Sequence, residues 1–143
     1  MAETGARRLS LLLVEDNPAD IYLVKEAIQR EGLDCHLEVV GDGERAISII
    51  DALDADASTR CPDLLLLDLN VPRKSGEEVL ERVRQSPRCL TIPVVIITSS
   101  GSPADQDRAR ELGAAGYFRK PSDFHEFMKL GRLLRNLCQQ IPT

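Results

Sequence analysis

The amino-acid sequence predicts an α/β protein in which a doubly wound, five-stranded parallel sheet carries helices on both faces. Five short runs rich in Val, Ile and Leu alternate with five longer amphipathic segments. The runs lack polar alternation, which is typical of strands buried on both faces. Regular alternation of strand and helix favours a parallel sheet with right-handed crossovers. The 143 residues, 43% hydrophobic and 29% charged, fit one soluble domain.

The five apolar runs give the expected strands. A strand with helices on both sides needs apolar residues on both of its faces, so its sequence is nearly continuous in Val, Ile and Leu. In chain order the expected strands are Leu9–Val14, His36–Val40, Leu64–Leu67, Val94–Thr98 and Gly116–Arg119.

The first three helices follow local signals. Asn17 and Pro18 provide an N-cap and a first-turn proline for a helix that ends near Arg30. The second helix covers roughly Gly43–Leu53. The third begins at a capping box, in which Ser75 is followed three residues later by a glutamate, and it continues to about residue 85.

Two further helices complete the pattern. The fourth is expected over Ser102–Leu112, with a proline in its first turn and Gly113 behind it. The fifth begins at Ser122 and continues toward Cys138. A polar segment, Asp54–Pro62, follows the second helix and has the character of an inserted loop.

Composition excludes several classes of function. The net charge of −5 disfavours a general nucleic-acid binder. No apolar run approaches the roughly 20 residues needed to cross a bilayer, and the first ten residues lack the apolar stretch of a signal peptide. We therefore expect no membrane contact and a cytoplasmic location. The cysteines stand at positions 35, 61, 89 and 138 without a CxxC motif, so we expect reduced thiols and no zinc site.

Chemically active residues follow four of the five expected strands. Glu15 and Asp16 follow the first, Asp68 the third and Lys120 the fifth, while Thr98 closes the fourth. Each has an ordinary explanation on its own, such as an acidic residue near a helix N-terminus, a turn residue or a surface lysine. Parallel strands end at one edge of their sheet, where ligands of such folds bind. Together these residues predict a site at that edge.

The residue types indicate chemistry on phosphate. Three close carboxylates repel one another unless a cation or a bound proton joins them. Oxygen ligands suit Mg²⁺, which commonly binds one or two carboxylates together with phosphate oxygens. Asp68 is a plausible nucleophile that would form an acyl phosphate. Lys120 and Thr98 could then hold two phosphoryl oxygens.

Four segments of the chain resemble the receiver domain of two-component response regulators. They read LLLVEDNPAD, PDLLLLDLNVPRKSGEEVL, IPVVIITSS and GAAGYFRKPSD. The resemblance covers about residues 9–138, so residues 1–143 are expected to form a single receiver domain. It implies a flavodoxin-like fold with strand order 2-1-3-4-5.

The resemblance also implies a phosphoacceptor and a metal site. Asp68 is expected to accept a phosphoryl group from the phosphohistidine of a sensor histidine kinase. Asp16, Asp68 and the backbone carbonyl of Asn70 would bind Mg²⁺, with Glu15 acting through a water molecule. Many receivers have an aspartate where this chain has Glu15, and the longer side chain could alter metal affinity.

Three further expectations come from the same resemblance. Thr98 and Lys120 would contact the phosphoryl group. Tyr117 would be the aromatic switch residue that turns inward when Thr98 moves; the alternative is a half-buried strand tyrosine with no such role. The peptide bond between Lys120 and Pro121 is expected to be cis.

A narrower resemblance concerns the partner. The NPAD segment, the long loop before the third strand and the KPSD segment resemble the stand-alone receivers that are paired with phytochrome-type kinases. Only three residues follow Gln140, so we expect no attached effector domain. The signal would leave through the surface of the fourth helix, the fifth strand and the last helix.

Two other classes of protein share parts of this pattern. A flavin or nucleotide binder of this fold needs a glycine- or hydroxyl-rich phosphate loop after the first strand, where this chain has Glu15 and Asp16. A phosphatase of the haloacid-dehalogenase type needs a second Asp two residues after its nucleophile, where Asn70 stands and cannot take a proton. We therefore expect a phosphoacceptor and not a turnover enzyme. A purely structural protein would leave the strand-end residues unexplained.

The apolar surface of the last expected helix indicates a homodimer. Its apolar residues cover more than the roughly 100° stripe that contact with one face of a sheet requires, so some apolar surface should be left over. We expect two copies to associate through this helix, the fifth strand and the fourth helix. Alternatively, the inserted loop or the C-terminal tail could cover the surplus. The apolar residues are Phe124, Phe127, Met128, Leu130, Leu133, Leu134, Leu137 and Cys138.

Overall fold

The computed structural model describes residues 8–142 and contains a five-stranded, fully parallel sheet. The strand order is β2-β1-β3-β4-β5, which confirms the predicted fold class and order. Four of the five strands have the expected limits, and β2 begins one residue earlier. The strands are β1 (Leu9–Val14), β2 (Cys35–Val40), β3 (Leu64–Leu67), β4 (Val94–Thr98) and β5 (Gly116–Arg119).

Six helices connect or follow the strands in the described part of the chain. They are α1 (Pro18–Arg30), α2 (Gly43–Ala55), α3 (Gly76–Gln85), α4 (Pro103–Glu111), α5 (Phe124–Phe127) and α6 (Leu130–Gln139). None of the described helices is long and apolar enough to cross a membrane.

The caps predicted for α1, α3 and α4 are present. The Asn17 side chain accepts hydrogen bonds at the start of α1, and Ser75 forms a reciprocal capping box with Glu78 at the start of α3. Gly32 and Gly113, behind α1 and α4, both have positive φ, a backbone conformation that costs glycine little. Local side-chain chemistry thus sets where these helices begin and end.

The core consists of two layers, one on each face of the sheet. Alternate residues of the strands point to opposite faces, so Leu11 and Leu13 lie in one layer while Leu12 and Val14 lie in the other. The helices α2, α3 and α4 cover the layer that contains Leu12, and α1, α5 and α6 cover the opposite layer. The central strands β1, β3 and β4 are buried, whereas the edge strands are partly exposed.

The C-terminal helix differs from its prediction. The expected continuous helix is divided into α5 and α6, and Asp123 caps α5 instead of Ser122. Backbone bonds between residues three apart tighten the chain at the break, where the Gly131 N–H donates to Met128. A Cβ at Gly131 would lie 2.6 Å from the Ala27 carbonyl oxygen of α1, so glycine allows α6 to approach α1 this closely.

The cysteines also differ from their prediction. Cys61 and Cys89 form a disulfide with a Cα–Cα distance of 5.8 Å, so the expectation of reduced thiols is wrong for this pair. Cys61 precedes β3 and Cys89 precedes β4. Because these parallel strands are neighbours in the sheet, the segments that lead into them lie side by side. Cys35 and Cys138 are free thiols.

Candidate functional site

Backbone hydrogen bonds between neighbouring strands fix the residues at the carboxyl edge of the sheet. The Glu15 N–H donates to the Val40 carbonyl at 3.0 Å, and the Asp68 N–H donates to the Val14 carbonyl at 3.1 Å. The Lys120 N–H donates to the carbonyl of Thr98 at 2.7 Å. The hydrogen bonding of the sheet thus continues one residue beyond the strands and holds the backbone of Glu15, Asp68 and Lys120.

The Lys120 ammonium is the centre of the site. Its Nζ lies 2.7 Å from Glu15 Oε1, 2.7 Å from an oxygen of Asp20 and 2.8 Å from Asp68 Oδ2. The Lys120 side chain is 10% exposed and that of Asp68 is 7% exposed, so these contacts are largely withdrawn from water. The structure thus brings Glu15, Asp68 and Lys120 into direct contact.

Asp20 is a site residue that the sequence analysis did not identify. It lies in the first turn of α1, with its side chain 22% exposed. The first turn of a helix that follows a parallel strand lies above the carboxyl edge of the sheet. An aspartate four residues after Asp16 was therefore a signal, although the sequence alone does not show which way its side chain points.

Glu15 is almost completely buried, and its two oxygens have different surroundings. Oε2 accepts the backbone N–H groups of Asp16 and Asn17 at 3.1 and 3.2 Å. Oε1 makes no well-aligned hydrogen bond with the described residues, and its close contact with Lys120 is an ion pair. A buried oxygen in this position is suited to bind a cation or a cation-bound water molecule.

Burial raises the pKa of Glu15 to about 7. The Lys120 contact lowers this pKa, and the negative charge of Asp68 raises it. For Lys120, burial lowers the pKa, but the contacts with the carboxylates of Asp20, Asp68 and Glu15 outweigh burial and raise it overall. Lys120 therefore remains charged while Glu15 is close to its titration point at neutral pH.

Three carboxylates fit the requirements of a divalent cation. Oxygens of Glu15, Asp16 and Asp68 lie within 4.8 Å of one another, and Asp16 is exposed to solvent. Asp68 Oδ1 accepts the Asn70 N–H at 3.0 Å, which orients the carboxylate. Hard oxygen donors and a solvent-facing side suit Mg²⁺, since this ion keeps several waters.

Thr98 and Tyr117 are connected through the loop that follows β4. The buried Thr98 Oγ1 accepts the Ser100 N–H at 3.2 Å and lies 3.4 Å from Asn70 Nδ2. The Tyr117 hydroxyl donates to the Ser100 carbonyl at 3.0 Å. Movement of Thr98 would therefore be transmitted to the segment that holds the Tyr117 ring.

One expected feature of the site is wrong. The peptide bond between Lys120 and Pro121 is trans, as are all peptide bonds in the described residues. The trans form is the intrinsic preference of an X–Pro bond, by about 0.5–1 kcal/mol. The Lys120 side chain makes its three carboxylate contacts with this bond in the trans form.

Comparison with known proteins identifies the family. The profile of the response regulator receiver domain matches residues 11–131. The chain belongs to the receiver domains of response regulators. These domains act in two-component signalling, in which a kinase phosphorylates the receiver.

Individual relatives cover nearly the whole chain. The response regulator Rcp1 of Synechocystis sp. is 35% identical over 120 residues, which are 84% of this chain and 82% of Rcp1. The crystal structure of the phosphorylated cyanobacterial phytochrome response regulator RcpA has a TM-score of 0.84 at 29% identity, and covers 96% of this chain and 100% of RcpA.

A solved structure of Rcp1 concerns the metal. The structure of the Mn²⁺-bound form of Rcp1 is 31% identical, with a TM-score of 0.82, and covers 94% of this chain and 99% of Rcp1. Divalent metal is thus bound by a receiver homologue, and the described residues of this chain contain an acidic cluster of Glu15, Asp16 and Asp68.

Proposed function

We propose that Asp68 is the phosphoacceptor of this receiver. The contact of its Oδ2 with Lys120 Nζ, inside a cluster of carboxylates at the sheet edge, is the observation that carries the proposal. Its other oxygen is held by the Asn70 N–H, so the carboxylate is fixed from both sides. A fixed carboxylate beside a buried ammonium is prepared for attack on a phosphoryl group.

The proposed donor is the phosphohistidine of a sensor histidine kinase. A carboxylate oxygen of Asp68 attacks phosphorus, and the phosphorus–nitrogen bond breaks. Its electron pair returns to the imidazole nitrogen, which takes up a proton, and an aspartyl phosphate is formed. Asn70 stands where a phosphatase of this chemistry would need an acid or base, so the acyl phosphate should persist. The receiver would thus assist its own phosphorylation and slow dephosphorylation without being a turnover enzyme.

Mg²⁺ is the proposed cofactor. Asp16, Asp68 and the backbone carbonyl of Asn70 would hold it directly, and Glu15 would act through a water molecule. When bound, the cation would neutralise the negative charge of the carboxylates and of the transferring phosphoryl oxygens. The buried Glu15 oxygen and the compact acidic cluster support this assignment.

Thr98 and Lys120 are proposed to bind the phosphoryl oxygens. The Lys120 ammonium already lies against Asp68, and the Thr98 hydroxyl lies at the end of β4, 3.4 Å from the side-chain nitrogen of Asn70. A shift of Thr98 toward the phosphoryl group would move the Ser100 segment and alter the position of Tyr117, the proposed switch residue.

The proposed partner is a phytochrome-type histidine kinase. Similarity to RcpA, which is a phytochrome response regulator, supports this pairing.

We also propose that residues 1–143 are a single receiver domain with a core at about 9–138. We propose that this domain acts in the cytoplasm and binds neither nucleic acid nor membranes. A second proposed partner is another copy of this chain, which would dock through α4, β5 and the C-terminal helices.

Phosphorylation in vitro tests the proposed acceptor. With acetyl phosphate and Mg²⁺, the intact protein should gain the mass of one phosphoryl group. Asp68→Asn should not gain it, because an amide oxygen is a poor nucleophile. Asp51→Asn is a matched control, since it removes an exposed carboxylate outside the site. An equal mass gain in the Asp68→Asn protein would refute the assignment.

A further inference from the structure

The Lys120 ammonium is surrounded by three carboxylates within the site. Its Nζ donates hydrogen bonds to Asp20 at 2.7 Å and to Asp68 at 2.8 Å, and it forms an ion pair with Glu15 Oε1 at 2.7 Å. The Lys120 side chain is 10% exposed, so water can replace these partners only poorly. The position of the ammonium is therefore determined by Asp20, Glu15 and Asp68 together.

These three carboxylates have different surroundings. Oxygens of Glu15 and Asp68 belong to the acidic cluster whose atoms lie within 4.8 Å of one another, together with Asp16. The clustered oxygens found among the described residues do not include any of Asp20. A cation and a phosphoryl group would compete with Lys120 for Glu15 and Asp68 but would leave Asp20 free to hold the ammonium.

Asp20 is also well anchored. Its backbone N–H donates to the capping side chain of Asn17 at 3.2 Å, within the first turn of α1. Helix α1 packs on the core through Val24 and Ala27. The side chain of Asp20 therefore contacts Lys120 from helix α1, which packs on the core, and not from the end of a strand.

We propose that Asp20 is a positioning residue that holds the Lys120 ammonium beside Asp68 while the cation and the phosphoryl group occupy the other carboxylates. The proposal rests on the proposed roles of Asp68 and Lys120. Without Asp20, the ammonium would keep only Glu15 and Asp68 and would compete with Mg²⁺ for their oxygens. The loss of Asp20 should therefore weaken Mg²⁺ binding and slow phosphorylation.

The test compares three variants of the full chain. Asp20→Asn removes the charge, Asp20→Glu keeps it, and Glu26→Gln is the matched control. Glu26 lies on the same helix and its side chain is 23% exposed, close to the 22% of Asp20, but it pairs with Arg30 outside the site. Calorimetry with Mg²⁺ measures affinity, and mass spectrometry measures the rate of phosphorylation by acetyl phosphate. Urea unfolding shows whether each variant is folded.

We expect Asp20→Asn to lower the Mg²⁺ affinity by about three- to tenfold, a range common for coupling between contacting residues. Phosphorylation should slow in parallel, Asp20→Glu should restore much of both, and Glu26→Gln should leave both unchanged. A double-mutant cycle with Lys120→Met isolates the mechanism. In that background, Asp20→Asn should have little further effect on Mg²⁺ affinity.

Two results would overturn the proposal. One is wild-type Mg²⁺ affinity in a folded Asp20→Asn protein. The other is an equal loss of affinity in the Lys120→Met background, since Asp20 would then act independently of Lys120. Failure of the wild-type protein to gain a phosphoryl group would instead refute the proposed function of Asp68, so the two hypotheses fail in different ways.

Discussion

Glu15 is a carboxylic acid enclosed at the end of β1, and its protonation affects both stability and metal binding. Burial raises its pKa from 4.5 to about 7, despite the nearby ammonium of Lys120. In the unfolded chain the pKa returns to its ordinary value. Between pH 4.5 and about pH 7, the native state therefore holds a proton on Glu15 that the unfolded state has lost.

The sign of the pH dependence follows from this shift. A raised pKa in the native state gives stability that is fully present below the pKa of the unfolded chain and is lost as the pH rises through about 7. We expect the free energy of unfolding of the metal-free protein to fall over this interval more steeply than that of Glu15→Gln. Urea unfolding in the presence of a chelator, from about pH 5 to pH 8, measures the difference.

Other groups also titrate in the protein, so the comparison must be made with the Glu15→Gln variant and not with an absolute slope. Lys120 does not contribute, because its raised pKa keeps it charged throughout. Added Mg²⁺ should reduce the difference, since the cation favours the ionised carboxylate. Parallel curves for the two proteins without metal would contradict the assignment.

At the scale of elements, the Cys61–Cys89 disulfide links the segment before β3 to the segment before β4. Arg88 holds the same loop through hydrogen bonds to the carbonyls of Leu53, Asp56 and Thr59. The loop after α2 is thus fastened at the edge of the sheet opposite the candidate site. A stable disulfide is unusual in the cytosol, where such bonds are mostly transient or redox-sensing.

We expect the oxidised protein to be more stable than Cys61→Ser by about 3–4 kcal/mol, the chain-entropy value for a loop of this size. The two cysteines are 28 residues apart in the sequence. Urea unfolding without reductant measures the difference, and Cys35→Ser is the control because Cys35 is a free thiol. Wild-type protein whose stability does not change on addition of reductant would contradict this prediction.

The elements also show what a sequence can and cannot predict. The limits of α1, α3 and α4 could be predicted because Asn17, Ser75 and Gly113 act on the backbone beside them. The break before α6 depends on the close approach of Gly131 to α1, and such tertiary contacts leave no local signal. The cysteine pair likewise requires knowledge of which strands are neighbours.

The residues of the candidate site also differ in whether the sequence alone could place them. Glu15, Asp68, Thr98 and Lys120 could be placed together because the ends of parallel strands meet at one edge of the sheet. Asp20 could not, because it lies on a helix and its role depends on where the long side chain of Lys120 ends. Residues of strands are positioned by topology, whereas residues of helices are positioned by packing.

At the scale of the whole molecule, the surface near β5 determines how two copies could associate. Phe127, Leu130, Leu134 and Cys138 of the C-terminal helices are buried in the monomer. Phe124, Met128, Leu133 and Leu137 remain half-buried, so the expected surplus of apolar surface is only partial. Arg30 covers part of it by lying 5.0 Å from the centroid of the Phe124 ring. Ile141, which follows α6, packs against the core layer that α1, α5 and α6 cover.

The half-buried residues of α5 and α6 still give the surface of these helices an apolar component beside the edge strand β5. Leu133 lies next to Gly116 at the start of β5, where its methyl groups are 3.7 Å from an ideal Cβ. Edge strands and half-buried apolar groups are common at interfaces between copies of a chain. A stable interface needs roughly 800 Å² from each copy, more than one helix face supplies, so α4 and β5 would have to contribute.

We therefore expect a homodimer in which α4, β5 and the C-terminal helices of two copies face each other. Light scattering at micromolar concentration measures the mass, with and without beryllofluoride, which stands in for the phosphoryl group on Asp68. Asp68→Asn is the control, because it should not respond to beryllofluoride. A dimer found only with beryllofluoride would link association to Thr98 and Ser100, since Ser100 forms hydrogen bonds with Thr98, with Tyr117 of β5 and with Asp105 of α4. A monomer mass under both conditions would show that the half-buried face of α5 and α6 is too small to hold two copies together.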